Sequence, residues 1–207
     1  MHAGTVFEVR FHGRGGQGAV TAADLLALAA FEEDRNAQSF PSFGSERMGA
    51  PVVAYCRMDG RNIRTREPVV APDCVIVIDP TLVHQVDLLA GLRPDGYLLV
   101  NSSRSLDDLG LGTLKSRFRT EHLLTVPATE VAQRQIGKPL PNAALLGGFA
   151  ALTAQITITS VSVAIRERFT RTPSVAERNV AAAAEVFQLA RAALTADGKA
   201  MLGAPAD

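Results

Sequence analysis

The sequence predicts an α/β fold built on a mixed sheet, and three observations lead to that prediction. Short runs rich in β-branched and aromatic residues alternate with longer segments of helical periodicity, which is typical of a sheet flanked by helices. One run, residues 74–78, is continuously apolar, as expected for a central parallel strand that is buried on both faces. The last third of the chain is rich in alanine and leucine, and we expect helices there from about residue 142.

Composition limits the classes of protein to which the chain can belong. Its 207 residues, 47% of them hydrophobic, predict a single domain over residues 1–207. Acidic and basic residues balance at 21 each, so no bulk charge favours nucleic acid or a membrane as a partner. The start of the chain has no signal-peptide pattern, and we expect a cytoplasmic protein. Cys56 and Cys74 lie in apolar runs and are expected to be buried thiols, with a disulfide as the alternative.

The first elements surround a glycine-rich turn. Residues 5–11 are predicted as a strand, residues 19–33 as a helix and residues 36–40 as a short second strand. The stretch 40–51 contains two prolines and two glycines, so no regular element is expected in it. It also carries phenylalanine, serine and arginine, and is either a binding element or partner surface, or a merely structural connection.

An antiparallel pair is expected to interrupt the α/β alternation. Residues 52–58 have strand character, and Asp59-Gly60 is a strong hairpin signal. Residues 62–66 would then form the return strand. The pattern therefore predicts an antiparallel hairpin inserted into the sheet.

The rest of the chain continues the alternation and ends in helices. After the strand at 74–78 we predict, in order, a helix at 81–90, strands at 97–100 and 123–126, and helices at 128–137, 142–154 and 174–194. Asn142 is a good N-cap, and Gly147-Gly148 within the following helix lets another backbone approach closely. Together these elements predict a Rossmann-like mixed sheet with an antiparallel hairpin insertion and a C-terminal helical segment.

The turn after the first strand has the spacing G-x-G-x-x-G. Gly13, Gly15 and Gly18 form this motif, with Gly16 as an extra glycine, between a predicted strand and a predicted helix. Glycine permits a tight turn and a close ligand, and the helix N-terminus offers unpaired N–H groups and partial positive charge. We therefore predict a phosphate or pyrophosphate site here. The alternative is a turn that only lets the helix pack closely on the sheet.

Neighbouring residues narrow the class of ligand. Arg14 could add a charge-assisted contact to phosphate, and Gln17 could add a side-chain amide. Ordinary NAD sites place an acid about 20 residues further on, at the end of the second strand. The acids at 32–34 instead lie at the end of the predicted helix, and residues 36–42 contain none, which argues against NAD. Asp79 ends the strand at 74–78, where it either faces a ligand or caps the next helix.

Four stretches of the sequence together carry a resemblance to a known family. They are Gly13-Arg14-Gly15-Gly16-Gln17-Gly18 followed by Val20-Thr21-Ala22-Ala23, the whole stretch 40–51, Pro72-Asp73 with Asp79-Pro80, and Pro141-Asn142 with Leu145-Leu146-Gly147. Together they resemble the gamma subunit or gamma domain of the 2-oxoacid:acceptor oxidoreductases, of which pyruvate:ferredoxin oxidoreductase is the best-known member. The resemblance covers roughly residues 5–190. Met48 is a departure, since many relatives carry a second arginine there.

The resemblance implies a subunit of a larger enzyme. In such complexes a 2-oxoacid is decarboxylated on thiamine diphosphate, electrons leave through iron–sulfur clusters, and the acyl group passes to coenzyme A. It implies that this chain contributes coenzyme A binding and assembly. Thiamine diphosphate, magnesium and the clusters are then expected on alpha, beta and delta-type partner subunits, with ferredoxin or another electron acceptor.

For this chain the resemblance implies a binding role, with no residue expected to be a chemical catalyst. The backbone of residues 13–18 would hold phosphate with help from Arg14 and Gln17, and Ser45 and Arg47 would add second-rank contacts from the long loop. Two alternatives stay open: a stand-alone NAD- or flavin-binding oxidoreductase, and a purely structural subunit. Pyruvate, branched-chain 2-oxoacids, 2-oxoglutarate and aryl-glyoxylates are all compatible substrates of the assembly.

Overall fold

The described residues of the chain form one six-stranded sheet with five α-helices. The computed structural model describes residues 6–42 and 48–202, with residues 197–202 described by their backbone alone. The strands are β1 (Phe7–Arg14), β2 (Asn36–Pro41), β3 (Pro51–Asp59), β4 (Cys74–Val77), β5 (Tyr97–Asn101) and β6 (Leu123–Val126). The helices are α1 (Ala19–Phe31), α2 (Ala128–Ile136), α3 (Asn142–Thr153), α4 (Ile158–Arg168) and α5 (Pro173–Leu202).

The strand order is β2-β3-β1-β4-β5-β6, and the sheet is mixed. β3 is antiparallel to both β1 and β2, whereas β1, β4, β5 and β6 run parallel to one another. Every residue of β4 is buried, which explains its unbroken apolar sequence. The predicted α/β fold with a mixed sheet and a C-terminal helical segment is confirmed.

The two faces of the sheet are covered differently. All five helices pack on one face, where Phe11, Leu26 and Phe149 belong to a single large core. Irregular segments with short 3₁₀ turns cover the β4–β6 part of the other face, around Val75, Val77 and other apolar side chains. In the described ranges no helix combines the length and the apolar character needed to cross a membrane.

Gly147 allows a close contact between two helices in this core, as its sequence context predicts. A Cβ on this glycine would lie 1.9 Å from the carbonyl oxygen of Ala183 in α5. No side chain can be accommodated at that distance, so α3 and α5 cross backbone to backbone. Cys56 and Cys74 are buried free thiols in β3 and β4, on either side of β1, and they form no disulfide.

The predicted return strand at residues 62–66 is wrong. β3 already pairs with β2 on one edge and with β1 on the other, so it has no free edge to accept a third strand. The Asp59 carboxylate instead accepts a hydrogen bond from the Arg61 backbone at 3.3 Å and turns the chain away. The antiparallel insertion therefore consists of β2 and β3.

The predicted helix at residues 81–90 is also wrong. Only Pro80–His84 is helical, as a 3₁₀ turn. The guanidinium of Arg10, in β1, donates to the carbonyls of Leu88 at 2.9 Å and Ala90 at 2.7 Å. The backbone N–H groups of Leu88 and Ala90 bond to the carbonyls of Val86 at 2.9 Å and Asp87 at 3.4 Å, two and three residues back instead of four, so the segment after the 3₁₀ turn is irregular.

Helix α4 (Ile158–Arg168) was not predicted, because its β-branched residues have low helix propensity. Its N-terminus is strongly capped. Thr157 Oγ1 accepts from the Ser160 backbone at 3.1 Å. Glu33, two residues after the end of α1, accepts from the Thr157 backbone and from Ser160 Oγ, both at 2.6 Å. Tertiary contacts and caps therefore stabilise a helix that propensity alone does not.

Candidate functional site

The glycine turn lies where the direction of chain connection in the sheet reverses. After β1 the chain builds β2 and β3 on one side, and then returns to place β4 on the other side of β1. The turn follows β1 and stands beside the end of β4, at the carboxyl ends of two parallel strands. Open α/β sheets bind their ligands at such a point.

Three glycines of the motif differ in their backbone environment. Gly13 is not in the turn but in β1, paired with Val52 of β3, so β1 extends further than the predicted end at residue 11. Gly16 and Gly18 have φ of 94° and 81°, the left-handed region that favours glycine. A Cβ on Gly18 would also lie 2.5 Å from Asn142 Nδ2, at the start of α3.

The start of α1 leaves backbone donors at the turn. Gly18 caps this helix without a side-chain hydrogen bond, and its first turn contains no acidic residue. The first N–H groups of a helix have no partner within it and carry partial positive charge. A shallow cavity of about 310 Å³ opens here, lined by Arg14, Gly15, Gly16, Gly18, Ala19, Val20, Thr21 and Val52. Proteins commonly bind anionic groups at a helix N-terminus of this kind.

Arg14 makes contacts that its sequence position did not predict. Its Nε donates to Asp79 Oδ2 at 3.1 Å, and its Nη1 donates to the Gly49 carbonyl at 3.1 Å. Its Nη2 donates to Thr81 Oγ1 at 3.0 Å and to Gln85 Oε1 at 2.8 Å. The guanidinium is thus bound to the protein itself, and its charge is largely balanced by Asp79.

Gln17 links the turn to β4. Its Oε1 accepts from the Arg14 backbone N–H at 2.7 Å, and its Nε2 donates to Asp79 Oδ2 at 2.8 Å. Asp79 also caps the 3₁₀ turn, since Oδ1 accepts from the Thr81 backbone at 2.9 Å. Burial would raise the pKa of Asp79, but hydrogen bonds from Thr81 and Gln17 and the Arg14 charge outweigh it and lower the pKa. Asp79 therefore caps the 3₁₀ turn that follows it and also faces the glycine turn.

The returning part of the long loop is fixed to the turn. The Gly15 N–H donates to the Ala50 carbonyl at 2.9 Å, and the Gly49 N–H donates to the Gly15 carbonyl at 3.1 Å. Met48 lies against Gly16 and is 90% exposed. Ser45 and Arg47, the predicted second-rank contacts, lie outside the described residues.

The sequence did not predict that Asn142 and the backbone of residues 48–50 would contact the turn. Their only signal was their place in two other motifs of the resemblance, residues 40–51 and Pro141-Asn142. The structure thus brings three separate motifs together around Gly15, Gly16 and Gly18. The fold and this turn define an α/β protein of the Rossmann-like class.

The chain matches known proteins over most of its length. The family described as pyruvate ferredoxin/flavodoxin oxidoreductase matches residues 8–189. The chain is 45% identical over 183 residues to the pyruvate/ketoisovalerate oxidoreductases common subunit gamma of Pyrococcus abyssi, covering 88% of this chain and 96% of the relative. It is 48% identical over 159 residues to pyruvate synthase subunit PorC of Methanosarcina barkeri, covering 77% and 84%.

A solved structure agrees with these sequence matches. The pyruvate oxidoreductase subunit PORC of Thermotoga maritima has a TM-score of 0.74 and 32% identity to this chain, covering 89% of this chain and 97% of that one. The chain belongs to the pyruvate ferredoxin/flavodoxin oxidoreductase family, and within it to the gamma subunits. The resemblance drawn from the sequence is confirmed, and other subunits are implied because a relative is named as a common subunit of its enzymes.

Proposed function

We propose that this gamma subunit contributes coenzyme A binding and assembly to an enzyme that converts a 2-oxoacid, coenzyme A and an oxidised acceptor to acyl-CoA, CO₂ and the reduced acceptor. Partner subunits of alpha, beta and delta type would carry thiamine diphosphate, magnesium and iron–sulfur clusters. The two cysteines of this chain, both buried, are too few to ligate a cluster by themselves. Relatives named for pyruvate and ketoisovalerate favour pyruvate or a branched-chain 2-oxoacid as substrate.

The single observation that supports coenzyme A binding is the backbone of the glycine turn. Left-handed Gly16 and Gly18 shape the turn, and α1 begins directly after it with no acid in its first turn. A pyrophosphate bound here would be held by N–H groups and the helix dipole. Coenzyme A carries a pyrophosphate, and it needs no ribose-binding acid of the kind that NAD sites have.

Arg14 would act on a bound phosphate indirectly. Its guanidinium contacts four protein acceptors and its charge is balanced by Asp79, so it would shape the turn instead of forming a bidentate clamp on the phosphate. Gln17 would act in the same indirect way, since both ends of its amide are bound to the protein. The groups that remain to contact phosphate are the main-chain N–H groups of Gly16 and of residues 18–21, since those of Gly15 and Gln17 donate to the protein itself.

The test is steady-state kinetics of the complex reconstituted with its partner subunits. We expect Gly16→Val to raise the KM for coenzyme A by about tenfold or more, corresponding to at least about 1.4 kcal/mol of lost binding. The KM for the 2-oxoacid should change little, because decarboxylation takes place on other chains. A Cβ at Gly16 forces a disfavoured backbone angle and disturbs the turn.

Gly137→Val is the matched control. Gly137 has φ of 77° at the end of α2, with open space around its Cβ position, so the substitution introduces similar backbone strain away from the turn. If both variants fold, assemble and keep the wild-type KM for coenzyme A, the turn has a purely structural role. Loss of nicotinamide or flavin binding in Gly16→Val would instead favour a dinucleotide site.

A further inference from the structure

The carboxylate of Asp79 joins the ends of two neighbouring strands. Oδ2 accepts from Arg14 Nε at 3.1 Å and from Gln17 Nε2 at 2.8 Å, both on the β1 side. Oδ1 accepts from the backbone N–H of Thr81 at 2.9 Å and from its Oγ1 at 2.6 Å, on the β4 side. Each oxygen therefore accepts two hydrogen bonds, Oδ2 from residues at or just after the end of β1 and Oδ1 from Thr81, just after β4.

Gln17 carries this link into the backbone of the turn. Its Oε1 accepts from the Arg14 N–H at 2.7 Å, while the Gln17 N–H donates to the Arg14 carbonyl at 3.0 Å. The side chain folds back over the end of β1, and a Cβ on Gly13 would lie only 3.3 Å from its Oε1. Gly13 thus leaves the space that Gln17 needs, which explains a glycine inside a paired strand.

These contacts fix the shape of the turn in the absence of a ligand. The turn contains two left-handed glycines and has few side chains of its own with which to fix its shape. Glycine has the largest backbone freedom of any residue, so an unsupported turn would lose much entropy on binding. The Asp79–Gln17–Arg14 contacts restrict that freedom in advance, from the neighbouring strand.

We propose that Asp79 is a positioning residue for coenzyme A, acting through Gln17 and Arg14 to keep the N–H groups of the glycine turn in their binding arrangement. This inference rests on the proposed function of the turn. Asp79 itself would not touch the ligand, because its oxygens are occupied and its charge would repel a phosphate. Its effect would therefore fall on the KM for coenzyme A and not on the rate at saturation.

Asp79→Asn disrupts the contacts with Arg14 and Gln17 but keeps the contact with Thr81. The remaining oxygen can still cap Thr81, while the new amide NH₂ faces two donors, Arg14 Nε and Gln17 Nε2. A flip of the Gln17 amide would give the new NH₂ an acceptor but would place the Gln17 NH₂ against the Arg14 N–H. We expect the KM for coenzyme A in the reconstituted complex to rise about tenfold, with kcat and the KM for the 2-oxoacid within about twofold of wild type.

The double variant Asp79→Asn with Gln17→Glu should restore most of the binding. A glutamate at position 17 offers two acceptors, one for the amide introduced at position 79 and one for the Arg14 N–H, and the total charge equals that of wild type. Arg14 Nε still faces the new amide, so a small part of the loss should remain. We expect its KM for coenzyme A to return to within about threefold of wild type. Asp108→Asn is the matched control, since Asp108 also caps a turn, accepting from Ser105 Oγ at 2.7 Å, but lies between β5 and β6.

Hydrogen exchange of residues 13–21 in the same complexes separates the two proposals. Faster exchange in Asp79→Asn, reversed in the double variant and absent in Asp108→Asn, is expected together with the change in KM. If Asp79→Asn exchanges like wild type, Asp79 has no positioning role. The same conclusion follows if Asp79→Asn exchanges faster but keeps the wild-type KM for coenzyme A, while Gly16→Val raises that KM. If Gly16→Val also leaves that KM unchanged, the proposed function of the turn fails, and this inference fails with it.

Discussion

Acidification should destabilise the fold through one buried histidine. His12 is buried in β1, and Arg10 Nε donates to its Nε2 at 3.0 Å. Burial and the neighbouring Arg10 charge lower the pKa of His12 from 6.5 to about 4. Because the unfolded chain binds this proton more readily, stability is complete above the unfolded pKa. It is lost as the pH falls through 6.5, until the folded pKa of about 4 is reached.

The size of the effect follows from the displacement of the pKa. A shift from 6.5 to about 4 corresponds to about 3 kcal/mol in total, at 1.36 kcal/mol per unit. Of this, about 2 kcal/mol should be lost between pH 7 and pH 5, where His12 is protonated in the unfolded chain only. The pKa of Asp79 is lowered, so that carboxylate stays ionised in the folded state over this range and contributes little to the change.

The assay is denaturant unfolding of wild type and His12→Gln at pH 5, 6 and 7. A glutamine oxygen can still accept from Arg10 Nε but does not titrate. We expect the variant to lose about 2 kcal/mol less than wild type between pH 7 and 5. Other titrating groups are common to both proteins and cancel in the comparison. Equal pH dependence in the two proteins would show that His12 does not have the lowered pKa.

Two further predictions concern the core. Gly147→Ala should destabilise the chain by about 1–3 kcal/mol or more, because its Cβ would lie 1.9 Å from the Ala183 carbonyl oxygen. Gly60→Ala, with open space at its Cβ, should stay within about 0.5 kcal/mol, and equal unfolding midpoints would contradict the close contact. Asn101→Ala should lose about 1–3 kcal/mol by denaturant unfolding, since its amide donates to Thr129 Oγ1 at 2.7 Å and accepts from the Thr129 N–H at 3.0 Å. A loss below about 0.5 kcal/mol would show that water replaces these bonds.

Local patterns in the sequence were sufficient for most of the elements. The apolar run at 74–78, the alternation around it and the glycine motif each depend on neighbouring residues. The strand predicted at 123–126 has the same bounds as β6, and Gly147 makes the close contact that its context suggested. Such features can be predicted because the residues that determine each element lie within the element itself.

The failures share a dependence on distant residues. The return strand at 62–66 is excluded by the two partners of β3, and no local pattern reveals which strands pair. The segment predicted as a helix at 81–90 is irregular after its 3₁₀ turn, and its carbonyls bind Arg10, which lies 78 residues before Leu88. In the site, Asp79 meets Arg14 across 65 residues. A role for Arg14 as a phosphate ligand was a reasonable prediction from the motif, but its acceptors become known only with the fold.

The position of β1 has a consequence for the order of folding. Its antiparallel partner β3 ends at residue 59, whereas its parallel partner β4 begins at residue 74. As the chain emerges from the ribosome, β1, α1, β2 and β3 can therefore associate before β4 exists. This early intermediate would expose the open edge of β1, a template for pairing with the wrong strand. The charged and bulky side chains Arg10, His12 and Arg14 on that strand would make such mispairing less favourable until β4 arrives.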